Sequence, residues 1–166
     1  MSYIALANIT LTSTDSEVVF GNLPTGYTDY ILVANVRSSN QSGVFAQCRI
    51  RINNVSTSSY SFVNMDGGGS GATSSSNGSA PDIEMGLMAG TGDATGVYSN
   101  VIAHFFDPKQ TDKHKTVLIR NDHASANSRA VAGRYASTDA ISSIQVRDAI
   151  GSFAIGSTFA LYGVAG

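Results

Sequence analysis

Charge is scarce in this chain. Lys, Arg, Asp and Glu make up 13% of its 166 residues, about half the roughly 25% of an average soluble protein. Ten cations stand against twelve anions, for a formal net charge of −2. That balance gives no electrostatic case for binding nucleic acid. There is one cysteine, Cys48, so an internal disulfide is excluded and packing or assembly must hold the domain. Tryptophan is absent, which removes the usual sugar-stacking residue. No apolar run approaches the roughly 18 residues a membrane-spanning helix needs. The opening Met1-Ser-Tyr-Ile lacks the basic and apolar regions of a signal peptide. No membrane role is read.

Ser, Thr, Asn and Gly fill the space that charge leaves. Between turn-rich segments run stretches that alternate with a period of two, the mark of strands. They are expected at 3–12, 17–20, 29–37, 44–52, 60–65, 82–88, 96–106, 115–120, 128–136, 141–147 and 158–164. The 29–37 stretch is apolar on both faces through Ile31, Leu32, Val33, Ala34 and Val36, so it is expected in the middle of a sheet. The last stretch is also apolar on both faces and expects a neighbour on each side. In 44–52, Cys48 falls on the apolar face with Val44, Ala46, Ile50 and Ile52, a small core residue. Phe45 falls on the other. The segment 66–80 is Gly/Ser-rich, with no side chain large enough to bury, and reads as a long internal loop. The fold class is all-β: a single domain over 1–166, a two-sheet antiparallel sandwich of jelly-roll type.

No motif carries chemistry. His104, His114 and His123 lack the spacing of a zinc site and read as surface residues. Gly68-Gly-Ser-Gly-Ala72 is not a nucleophile elbow, because it ends in Ala and lacks a strand-to-helix setting. The glycines of Gly90-Thr-Gly-Asp-Ala-Thr-Gly96 miss the dinucleotide spacing, with no helix to follow. Asp107 and Asp112 flank a turn without a calcium-loop pattern. Asp82 and Glu84, two apart on one strand face, are neighbouring carboxylates of the kind glycoside hydrolysis needs, but no Trp is there to line a sugar cleft. The chain reads as a protein that binds and does not catalyse, with no cofactor and no metal.

Four stretches carry a resemblance. They are Val19-Phe-Gly-Asn-Leu-Pro-Thr-Gly-Tyr-Thr-Asp-Tyr30, Ile52-Asn-Asn-Val-Ser-Thr-Ser-Ser-Tyr-Ser61, Asp139-Ala-Ile-Ser-Ser-Ile-Gln-Val146, and the ending Gly156-Ser-Thr-Phe-Ala-Leu-Tyr-Gly-Val164. In this order they resemble a family of small all-β virion proteins of tailed bacteriophages. The second stretch departs from the family, with Ile52 where an aromatic is usual. The resemblance implies a structural protein made in the host cytoplasm and carried on the virion. A capsid decoration (cement) protein is expected, a trimer whose partner is the major capsid protein. A tail fibre or baseplate module that binds a receptor is the alternative, and a free carbohydrate-binding sandwich stands behind both. First strand near Tyr3 and last near Val164 leave no room for a shaft, which favours decoration. The candidate interface residues are Tyr3, Ile4, Phe45, Met65, Asp66 and Phe106.

Overall fold

A computed structural model describes residues 1–40, 46–123 and 126–166. Among them lie twelve strands. They are β1 (Ser2–Thr10), β2 (Glu17–Phe20), β3 (Asp29–Val36), β4 (Ala46–Ile52), β5 (Tyr60–Gly68), β6 (Gly71–Ala80), β7 (Ile83–Met88), β8 (Ser99–Phe106), β9 (Lys115–His123), β10 (Asn127–Tyr135), β11 (Ile144–Asp148) and β12 (Thr158–Ala165). They form two antiparallel sheets, ordered β1-β12-β3-β8-β9-β10-β5-β6 and β2-β11-β4-β7. Eight of them, β1-β12-β3-β8 over β2-β11-β4-β7, interleave as the two sheets of a jelly roll. The hairpins β9–β10 and β5–β6 then widen one sheet to eight strands. β12 lies between β1 and β3, and β3 between β12 and β8, as their two-sided apolar character requires.

The core forms where the inner faces meet. Leu32, Ala34 and Val36 of β3, Ala103 and Phe105 of β8, and Phe159 and Leu161 of β12 face Ile50 and Ile52 of β4, Ile83 of β7, and Ile144 and Val146 of β11. Burying each large side chain contributes about 1.5–3 kcal/mol. Cys48 lies in this core, its Sγ 3.7 Å from Met85 Sδ, and burial pushes its thiol pKa up. The corner before β3 closes over the last strand. The Tyr30 hydroxyl donates to the Pro24 carbonyl at 2.5 Å, and the Tyr27 ring lies flat against Gly163, where a Cβ would come within 2.5 Å of it.

The segment 66–80 is not a loop. β5 runs on to Gly68, Gly69 and Ser70 make the turn, and β6 returns from Gly71 to Ala80. Side chains gave no sign of this strand because they do little to hold it: nine of its ten residues are exposed. Backbone pairing with β5 holds it instead. The buried Asn64 side chain assists by accepting from the Ser75 backbone N–H at 3.1 Å.

His123 is a second correction. It is buried, with Nε2 3.1 Å from Asp93 Oδ2. Asp93 belongs to the glycine-rich 90–96 segment. The Arg37 guanidinium fastens that segment by donating to the carbonyls of Asp93, Ala94 and Val97. The loop therefore has a structural filling that spacing alone did not disclose.

Candidate functional site: the open face of the eight-stranded sheet

Each sheet has one face turned away from the core, and the two faces differ in chemistry. The four-stranded sheet presents charge. Arg49 and Arg51 of β4 and Arg147 of β11 converge on Asp82, at N···O distances of 3.0, 3.6 and 3.3 Å. The Asp82 side chain is only 3% exposed. Gln145 donates to Glu17 at 2.6 Å beside them. Glu84 is held separately by Arg129, 3.0 Å away. The carboxylates of Asp82 and Glu84 are thus both engaged by guanidinium groups and do not flank a cleft together.

The eight-stranded sheet presents apolar side chains instead. Strand register sets Ala160, Val33, Ile102, Arg120, Ala130 and Met65 side by side across β12, β3, β8, β9, β10 and β5. The next row is Tyr162, Ile31, His104, Leu118, Ala132 and Val63. Val33, Ile102, Val63, Leu118 and Met65 are open to solvent, from 39% for Val33 to 64% for Met65, while Ile31 and Tyr162 are half-buried. Six strands about 4.8 Å apart and two rows about 6.8 Å apart span roughly 400 Å2. Exposed patches of that size are often functional.

Polar rows flank this strip. At one end Asn35, Asn100 and Asp122 adjoin through hydrogen bonds. The Asn35 side chain donates to Asn100 Oδ1 at 2.8 Å, and the Asn100 N–H to Asp122 Oδ1 at 2.9 Å. At the other end the register aligns Asp29, Phe106, Thr116 and Arg134. There the His104 ring stacks on Phe106 with centroids 4.1 Å apart, while its Nε2 meets Asp29 Oδ2 at 2.9 Å. The stack half-buries Phe106.

Relief on the face comes from residue size. Between the larger side chains of β9 and β5, β10 turns outward only Ala130 and Ala132 in the two apolar rows, so it forms the floor of a shallow trough. Two depressions open along it. One of about 720 Å3 is bordered by Met65, Ile102, Arg120 and Ala130. The other, about 550 Å3, is bordered by Val63, Leu118, Ala132 and Arg134. Such a surface offers shape and apolar area.

The candidate residues named from sequence scatter around this face. Tyr3, Met65 and Phe106 lie on it, Tyr3 on β1 opposite Val164 and in the row of Phe106. Ile4 points to the opposite side of β1 from Tyr3. Asp66 also points away from the open face. It accepts from Asn127 at 2.9 Å and pairs with Arg129 at 2.5 Å, half-buried as part of the structure. Phe45 lies outside the described residues. Val33, Ile102, Leu118, Val63 and the two alanines were not singled out. Their signal was present, since 29–37 and 96–106 both carry apolar residues on a second face.

No protein-family model matches this chain, and no curated protein matches it.

Proposed function

We propose that this is a structural protein of a tailed-phage virion, a capsid decoration protein that lays the open face of its eight-stranded sheet against the major capsid protein. One observation carries the docking part of the reading: a largely apolar strip, interrupted by His104 and Arg120 and bordered by polar residues, on one sandwich face, while the opposite face is charged and internally paired. An apolar centre inside a polar rim is the anatomy of protein–protein interfaces. The virion assignment rests on the four resembling stretches. The mechanism is binding alone. A protein that binds the assembled shell and not its separated subunits shifts the equilibrium toward the shell.

The test is to image purified virions by electron cryomicroscopy and to add the purified protein to undecorated shells. The reading expects icosahedrally repeated density on the shell, with the eight-stranded sheet inward. It expects Leu118→Asp to abolish decoration while leaving the thermal midpoint nearly unchanged. Density confined to the tail would assign the face to a tail partner. Decoration that survives Leu118→Asp would remove the open face from the interface.

A further inference from the structure

The eight-stranded sheet has two free edges, and they are built differently. β1 carries large side chains, Tyr3, Ile4, Leu6 and Ile9, and its register with β12 shifts between Ala5 and Ala7. Such a bulge disturbs an edge and hinders strand addition. β6 carries no large side chain, and its one irregularity is confined to its last residues. From Gly71 to Asn77 it pairs with β5 in unbroken register, and the irregularity lies beyond Asn77. It is ten residues long, without charge or proline. Among the described residues no other strand pairs with it. Natural sheets guard long edges with lysine, proline, bulges or brevity. The outer backbone N–H and C=O groups of β6 are left for a partner strand, and such groups are obligatory hydrogen-bonding groups.

We propose that β6 is an assembly edge: it pairs antiparallel with β6 of a second copy about a two-fold axis near Ser75, joining two eight-stranded sheets into one. The β6 sequence suits its own reverse. With Ser75 opposite Ser75, Ser74 meets Ser76 and Thr73 meets Asn77, and Ala72 comes opposite Gly78, where the irregular end of the strand begins. Every cross-strand pair is small, and most are polar on both sides, so neither charge nor bulk opposes close approach. An isologous contact of this kind closes at two copies and does not propagate. The pairing is independent of the docking role of the open face. It would bring two such faces into one surface, with Met65 and Val63 one strand from the seam.

Sedimentation velocity on the unmodified protein, with cysteine scanning of β6, tests this. Cys48 is the only native thiol and is buried, so the background is clean. The expected result is a dimer that dissociates on dilution. Under mild oxidation Ser75→Cys should cross-link at least ten times faster than Ala72→Cys, because only a residue on the axis faces its own copy. Ser75→Lys sets two ammonium groups opposite each other and should give a monomer of unchanged circular dichroism, whereas Ser75→Thr should remain dimeric. A wild-type protein that stays monomeric up to about 1 mM, where binding is worth only about 4 kcal/mol, would overturn the proposal. So would a dimer that survives Ser75→Lys, or cross-linking equal at both positions.

Discussion

Asp82→Ala removes the one carboxylate on which three guanidinium groups converge. Arg49, Arg51 and Arg147 hold Asp82 at 3.0–3.6 Å, and no other carboxylate is paired with them among the described residues. Removing one partner of a buried ion pair costs about 3–5 kcal/mol, because the remaining charge is left uncompensated. Here the arginine side chains are 18–31% exposed. Water reaches them in part, which places the loss at the lower end, about 3 kcal/mol. With a urea m-value of about 2 kcal/mol/M, the midpoint should fall by about 1.5 M. The thermal midpoint should drop by about 6–12 °C for a chain of this size. Urea titration followed by far-ultraviolet circular dichroism reads the first number and calorimetry the second. A double-mutant cycle isolates the cause: Arg147→Met should cost less in the Asp82→Ala background than in wild type, since one uncompensated cation then disappears. A loss below about 0.5 kcal/mol, the range of ordinary surface substitutions, would refute the argument and make the cluster a solvated surface feature.

Three further outcomes follow from the core. The Tyr60 hydroxyl accepts from the Ile52 N–H at 2.9 Å and lies 3.0 and 2.9 Å from the carbonyls of Ile52 and Val55, and burial pushes its pKa from 10.0 up to about 12. The folded state keeps this proton when the unfolded chain has released it, so the stabilisation is complete below pH 10 and is lost as pH rises to about 12. Urea midpoints measured from pH 8 to 12 should therefore fall steeply above 10. Tyr60→Phe should lower stability at neutral pH by about 1–3 kcal/mol and flatten that slope; an unchanged slope would assign alkaline unfolding to other groups. Gly163→Ala drives a methyl to within 2.5 Å of the Tyr27 ring and should cost about 1–3 kcal/mol, with a changed near-ultraviolet tyrosine signal; a neutral outcome would mean the corner at 21–28 yields freely. Cys48 should resist a thiol reagent under native conditions and react at the rate of unfolding as urea is raised, and prompt labelling would contradict its burial.

Most strands were legible because alternation survives wherever a strand has a covered and an open side. Glu17–Phe20 and Asp29–Val36 are examples in which side-chain pattern and sheet position agree. β6 was illegible for the opposite reason. Gly71, Ala72 and a run of serines carry no pattern, and what extends them is the backbone of β5, which no local reading contains. His123 was misplaced because its neighbours in sequence are polar, while its partner Asp93 comes from thirty residues earlier. Asp66 stands among the candidate interface residues because the sequence from 66 onward reads as a loop. The strand continues past it, and its side chain turns to Arg129.

The open face was half legible, and the half that failed bears on function. Apolar residues on both sides of the Asp29–Val36 strand announce cover on both sides, as in buried sheets. The fold supplies one layer of cover. Leu32, Ala34 and Val36 are buried, whereas Val33 is 39% exposed with Ile102 beside it. Across the same sheet most polar residues gather at the strand ends, Asn35, Asn100 and Asp122 at one and Asp29, Thr116 and Arg134 beside Phe106 at the other, while the middle rows are apolar except for His104 and Arg120. Chance exposure would scatter single apolar residues among polar ones. The four-stranded sheet, made by the same chain, does keep its outer face charged. A sequence that writes a charged face on one side and a bordered, largely apolar one on the other is what the proposed docking role requires, with the capsid surface supplying the third layer.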